Sequence, residues 1–386
     1  MRQRAISGDS HIDLSWLPPT LFVENASADM RGRMPFVVES DGGPRWTTTS
    51  GASLGLACQL GATGRKYRPG ASDRADRMAE QGIFSDGAKG IRRLTDPQLR
   101  LKDQDLDGID GEILYGILGM SERLGDREAS THMLKIYNDW LVDFCSYAPQ
   151  RLLGLAQIPC HDVAEAVAEA KRMISKKGIR GLDMAAAAQA NPYYHPDWDP
   201  FWALANETGV PVHFHTFGPE MSNTTGFDAE TKEKARAAAF ARGQFLRASD
   251  ILSGVIMGGV LDRYPNAKIV FAESGIGWIP YLLDRLNWCW DEEFRNSLTL
   301  SLRPSEYWYR QCYASFQYEP SALSILDLVG FDNVLWASDF PHPDGLWPDS
   351  QKYIESMFGK FNAETRDKIV YGNVARIYEF EGQNPH

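Results

Sequence analysis

From residue 105 onward the chain alternates short apolar runs with longer amphipathic stretches, a rhythm that restricts it to repeated β-α units around a parallel sheet. The runs EILYGI (112–117), LLGLAQIP (152–159), IRGLDM (179–184), PVHFH (211–215), KIVFAES (268–274), CYASF (312–316) and VLWASDF (334–340) read as strands. RAISGDSHI (4–12) adds an eighth near the N-terminus. Between them DVAEAVAEAKRMISKK (162–177), ASDILSGVIMGGVLDRYP (248–265) and IPYLLDRLNWCWDEEF (279–294) carry apolar residues at the three-to-four spacing of helices. Eight such units in 386 residues predict an α/β fold, a (β/α)8 TIM barrel, as one domain over 1–386. The segment NAETRDKIVYGNVARIYEF is expected to close its base.

The rhythm lapses once, between residues 20 and 105. That stretch is rich in Gly, Ser and Thr and then turns basic: Arg65, Lys66, Arg68, Arg74, Arg77, Lys89, Arg92, Arg93, Arg100 and Lys102 face only Asp73, Asp76, Glu80, Asp86 and Asp96. A long insertion after the first strand of a barrel lies over the mouth where such folds place their sites, so 20–105 is expected to form a lid or wall. The whole chain is acidic, with a formal charge of −11, which excludes wholesale binding to nucleic acid or an anionic membrane. No apolar run approaches the length of a membrane span, and Arg2 and Arg4 lead into polar residues rather than an export signal, so a cytoplasmic protein is expected. Cys58, Cys145, Cys160, Cys289 and Cys312 are scattered without a CxxC pair, which reads as free thiols and argues against a zinc-thiolate site.

Polar residues collect where these strands end. Asp9, His11 and Asp13 alternate along the first run and would share one face of a strand. His213 and His215 do the same on the fifth, Glu273 ends the sixth, and Asp339 ends the eighth with His342 just beyond. Strands of a parallel barrel are buried on both faces, and unpaired charge there is costly. A divalent cation removes the repulsion among such carboxylates, so Asp9, His11, Asp13, His215, Glu273 and Asp339 are read as metal ligands. Asp9 lies one pleat deeper than His11. His213 either binds a second ion or orients His215 or the substrate. Asp183 is a supporting candidate. A shared metal ion requires Glu273 and Asp339 to lie within about 10 Å of each other.

DSH on the first strand, PVHFH on the fifth, the run MGGVLDRYPNAKIVFAESGIGWIPYLLDRL (257–286) and ASDFPHPD on the eighth form a specific combination. Across residues 5–380 the chain resembles the amidohydrolase-related TIM-barrel family that includes the aminocarboxymuconate-semialdehyde decarboxylases. The resemblance implies metal ligands at His11, His215 and Asp339. Asp13 and Glu273 stand where that family has histidines, giving an oxygen-rich set better suited to iron or manganese than to a lone zinc. A set of this kind resembles the family's branch of non-haem diiron monooxygenases. It implies two ferrous ions, O2 reduction, and hydroxylation of a C–H bond in an apolar, CoA-linked acyl group whose phosphates the basic insertion would hold.

The alternative is metal-dependent hydrolysis or non-oxidative decarboxylation with a single zinc or manganese, a proton being moved by Asp339, His213 or His342. Trp16, Trp278, Phe340 and Trp347 are expected to keep water from the mouth, and His195 and Trp278 to contact the substrate. Asp199 is expected to cap a helix, and His132 and His161 to be structural. GIGW (275–278) lacks the dinucleotide-binding glycine spacing. The insertion and NWCWDEEF offer apolar contacts for a homo-oligomer.

Overall fold

The computed structural model describes residues 3–185, 189–215 and 225–380. Eight strands form one sheet: β1 (Ile6–His11), β2 (Gly111–Tyr115), β3 (Leu152–Gln157), β4 (Ile179–Met184), β5 (Pro211–His215), β6 (Lys268–Ala272), β7 (Cys312–Phe316) and β8 (Val334–Trp336). Each pairs in parallel with the next in sequence. The ring closes just beyond β8, where His11 N–H donates to the Phe340 carbonyl at 2.7 Å and Asp339 N–H donates to that of Asp9 at 3.0 Å. The barrel expected from the alternating pattern is the fold the chain adopts.

Two strands end earlier than their apolar runs. Glu273 has φ 50° and Asp339 φ 54°. Glu273 follows directly on β6 and Asp339 lies three residues beyond β8, so both carboxylates sit just past the strand ends in the left-handed region that non-glycine residues rarely adopt. β1 carries an irregularity between Ser7 and Ser10, which changes the parity of the strand around Gly8. A Cβ on Gly8 would lie 3.1 Å from Cβ of Leu335. The helix expected over 248–265 is the end of a longer one, Ala229–Met257, stopped by Gly258 and left-handed Gly259 (φ 71°) before a short turn, Val260–Arg263. Ile279–Cys289 passes into a π-turn at Trp290–Phe294.

Tyr371, Val374, Ile377 and Tyr378 of the C-terminal segment pack with Ile6, Ile113, Leu153, Val270 and Leu335, filling the barrel floor. At the other end, insertion residues Cys58, Leu60, Met78, Ile83, Phe84 and Leu94 share a cluster with Trp16, just after β1, and with Phe340 and Trp347 from beyond β8. Much of the insertion's positive charge is used internally. Arg74 and Arg77 pair with Asp349 at 3.0 and 2.7 Å, and Arg93 with Asp103. Arg92 donates to the Leu17 carbonyl at 2.6 Å, and buried Arg100 pairs with buried Glu112 at 2.6 Å. Arg74, Arg77 and Arg100 thus tie the insertion to the rest of the barrel, so these three are not free to grip the phosphates of a CoA carrier. All five cysteines are free thiols. Among the described residues no helix is long and apolar enough to cross a membrane.

Candidate metal centre

At the C-terminal end of the barrel, side chains from β1, β5 and the turns after β6 and β8 converge. Nε2 of His11 lies 3.2 Å from Nε2 of His215, 3.3 Å from Oδ1 of Asp9 and 3.1 Å from Oδ1 of Asp339. Nε2 of His215 is 3.7 Å from Oδ1 of Asp9 and 3.3 Å from Oε2 of Glu273. His342 stacks on His11 with ring centroids 3.9 Å apart, its Nδ1 3.2 Å from Oδ1 of Asp339 and its Nε2 3.3 Å from Oδ1 of Asp13. Two groups of ligand-capable atoms lie within 4.8 Å of one another: His11, Glu273, Asp339 and His342; and Asp9, His11 and His215. Both contain His11, so the cluster is one compact site.

Buried Arg100 braces it from behind, donating to the carbonyls of His11 at 3.0 Å and Phe340 at 3.3 Å while paired with Glu112. It thereby joins the backbones that carry His11 and Asp339. The Tyr115 ring packs against His215 at 5.0 Å and His11 at 5.8 Å.

The sequence matches the amidohydrolase family over residues 85–380. The chain belongs to the amidohydrolase family. This amidohydrolase is 25% identical over 315 residues to the gamma-resorcylate decarboxylase of Rhizobium radiobacter, covering 75% of this chain and 90% of that one. It is 24% identical over 293 residues to the 2-amino-3-carboxymuconate-6-semialdehyde decarboxylase of Dictyostelium discoideum, covering 75% and 78%. Its fold also matches the 5-carboxyvanillate decarboxylase of Novosphingobium aromaticivorans solved with manganese and a nitrobenzoic acid, at a TM-score of 0.63 and 22% identity, covering 80% of this chain and 84% of that one.

These relatives overturn the expectation of a diiron monooxygenase acting on a CoA-linked acyl group, because they are decarboxylases. The expected pair of iron ions has no support from these relatives, one of which was solved with manganese, and the two ligand groups, which share His11, are compatible with a single ion.

The donor set fits a single divalent cation. Oδ1 of Asp9 and both carboxylate oxygens of Asp339 are buried without a hydrogen-bond partner among the described residues, although imidazole nitrogens lie close by. Without a metal, His11 and His342 offset these carboxylates in their protonated forms; a divalent cation bound among them would take over that role. Imidazole nitrogens and carboxylate oxygens without thiolate suit zinc, manganese or iron.

Electrostatics divide the carboxylates of this amidohydrolase. Burial works against ionisation of Asp339, but His342 and His11 outweigh it and hold the carboxyl below its ordinary range. Asp13 is lowered likewise, His342 prevailing over burial. Burial, reinforced by Asp339 and Asp344, pushes Glu273 well above the usual carboxyl range. For His11, burial and His342 oppose protonation, yet contacts with Asp339 and Asp9 raise it to about 9. His342 is raised well above its ordinary value, because Asp339 and Asp13 overcome its burial.

Several sequence candidates sit elsewhere. Asp13 lies past the end of β1 and faces His342 rather than joining either ligand group. His213 is one pleat below His215, its Nδ1 3.2 Å from the Leu182 carbonyl and its Nε2 2.8 Å from the Tyr378 hydroxyl. Burial lowers it to about 3, and with both ring nitrogens facing partners on the barrel floor it belongs to neither ligand group. His195 is half-exposed and caps the short turn Pro196–Trp198, Nδ1 accepting from Asp197 N–H at 3.3 Å. It is not in the cluster. Trp278 turns onto its own loop, donating to the carbonyls of Ser274 and Gly275 at 2.9 and 3.0 Å. Asp199 is the first residue of its helix, not its cap, and pairs with Arg263 at 3.0 Å.

Sequence reading missed Arg100 as the brace and Asp344 as the carboxyl hydrogen-bonded to Glu273. Asp344 lies in the quoted ASDFPHPD motif; Arg100 was visible only as one cation of ten.

Proposed function

We propose that this amidohydrolase is a non-oxidative decarboxylase of a hydroxylated aromatic acid, dependent on one divalent metal ion. The observation that carries this reading is the convergence of the buried carboxylates of Asp9 and Asp339 on the facing Nε2 atoms of His11 and His215. The decarboxylase relatives supply the reaction class. In this reading Asp9, His11, His215 and Asp339 hold the ion. Bound there, it supplies positive charge for the oxygens of an anionic substrate.

The protein's own groups then divide the proton work. Glu273, pushed toward its protonated form, holds a proton at the edge of the cluster 3.3 Å from His215. When the ring–carboxylate bond breaks, CO2 leaves and the bonding electron pair stays on the ring carbon, which takes the Glu273 proton. Two carboxyls pushed in opposite directions mark acid and ligand roles. His342 sits between Asp13 and Asp339 and keeps both ionised. The insertion packed against Phe340 and Trp347 forms a wall of the site.

The test is to load the protein with manganese or zinc and incubate it without oxygen with 2,6-dihydroxybenzoate, 5-carboxyvanillate and related hydroxybenzoates. Equal amounts of CO2 and the decarboxylated phenol are expected from at least one. Absence of CO2 from the whole panel with fully loaded protein contradicts the proposal.

A further inference from the structure

The loop that carries Glu273 reads ESGIGW and follows an unusual path, left-handed at Glu273 (φ 50°) and again at Gly275 (φ 65°). A non-glycine residue in that region costs about 1–3 kcal/mol and persists only when its surroundings enforce it. The enforcing group comes from another loop. Glu319, beyond β7, accepts the amide of Ile276 at 2.7 Å through Oε2 and that of Gly277 at 2.9 Å through Oε1. Successive amides that cradle one carboxylate form an anion nest.

The glycines are there for this contact. A Cβ on Gly277 would lie 2.7 Å from Oε1 of Glu319, and one on Gly275 would lie 3.2 Å from Oε2. On the near side, Glu273 N–H donates to Ser315 Oγ at 2.9 Å, and Ser315 Oγ is 3.3 Å from Oδ2 of Asp9. The Glu273 backbone is thus fastened at both ends, by Ser315 behind it and by Glu319 ahead. Glu319 belongs to neither group of ligand-capable residues. A plain helix-capping role, just before Ile279–Cys289, would also use these two amides, and the two roles differ in what they predict.

We propose that Glu319 is a positioning residue: by holding the Ile276 and Gly277 amides it fixes the turn that aims the Glu273 carboxyl at His215. The effect on rate rests on the proposed decarboxylation; the effect on the loop does not. Glu319→Gln keeps the shape but exchanges one accepting oxygen for an NH2 group facing an N–H. Gly277→Ala attacks the same contact from the other side, with a Cβ that displaces Oε1.

In both variants, hydrogen exchange at the amides of residues 276 and 277 is expected to accelerate about tenfold or more relative to the wild type. The kcat for decarboxylation is expected to fall roughly ten- to hundredfold with little change in KM. Combining Glu319→Gln with Glu273→Gln should be no slower than Glu273→Gln alone, because one residue acts through the other. Unchanged exchange at 276 and 277 in both variants overturns the proposal. So do multiplying rate losses in the double variant, the result a separate capping role predicts. Should the wild type decarboxylate nothing, the exchange comparison still decides the loop contact while the reaction reading fails by itself.

Discussion

Asp339 and Glu273 border the same histidines, yet their surroundings push them apart: His342 and His11 favour an ionised Asp339, while burial and two carboxylate neighbours favour a protonated Glu273. Exchanging each for its amide should therefore fail in different ways. Asp339→Asn should reduce manganese affinity by about a hundredfold or more, since even groups that only support ligands are worth 10–100-fold. Glu273→Gln should leave metal content unchanged and lower kcat by roughly 10²–10⁴, the range of a lost general acid. Metal analysis alongside steady-state kinetics separates the two. Equal loss of metal in both variants would show Glu273 to be a ligand.

Asp183, on β4, makes a further residue-scale prediction. Burial raises its carboxyl to about 8 from 3.8, against the effect of its Gln157 hydrogen bond. Between about pH 4 and 8 the metal-free fold then binds a proton that the unfolded chain does not, so stability falls as pH rises through that window. Urea unfolding of the metal-free protein at pH 5 and pH 8 should show Asp183→Asn losing less stability across the interval than the wild type. At this scale the sequence was legible where strand alternation governs: Asp9 and His11 meet because they lie two apart on β1. The same rule put His213 on the His215 face but could not show its depth, where Tyr378 claims it. Nor could it show His342 stacking on His11, which depends on the left-handed turn at Asp339.

At the scale of elements, all eight strands were readable because parallel barrel strands are short apolar runs with few ambiguities. Helix limits were less so. The Ala229–Met257 helix extends well before the apolar pattern becomes clear, as its opening turns, AETKEKARAAA, are mostly polar or small. The basic insertion was legible as a composition but not as a set of contacts, since its acidic partners Asp349, Asp103 and Glu112 include residues remote in sequence. Arg100 shows what those contacts do, binding the carbonyls at the β1–β8 closure from a buried pair with Glu112. Arg100→Met leaves Glu112 charged and buried, and should cost about 3–5 kcal/mol in denaturant unfolding. Replacing Arg100 and Glu112 together by apolar residues should recover most of that loss.

Over the whole molecule, the barrel has two unlike ends. Tyr371, Val374, Ile377 and Tyr378 fill the floor, while ligand-capable groups gather at the mouth and insertion residues pack on Phe340 and Trp347. A cation bound among these buried carboxylates and imidazoles should stabilise the folded state in proportion to its affinity. Stripping with a chelator should lower the thermal midpoint, and one equivalent of manganese should restore it. A requirement for two would contradict the single compact site. Anaerobic turnover of hydroxybenzoates by metal-loaded protein, with CO2 and the phenol quantified against oxygenated controls, distinguishes metal-dependent decarboxylation from oxidation. Equal CO2 and phenol at a rate independent of O2 are expected; no CO2 without O2, or a product bearing an oxygen atom from O2, would rule out decarboxylation without oxidation.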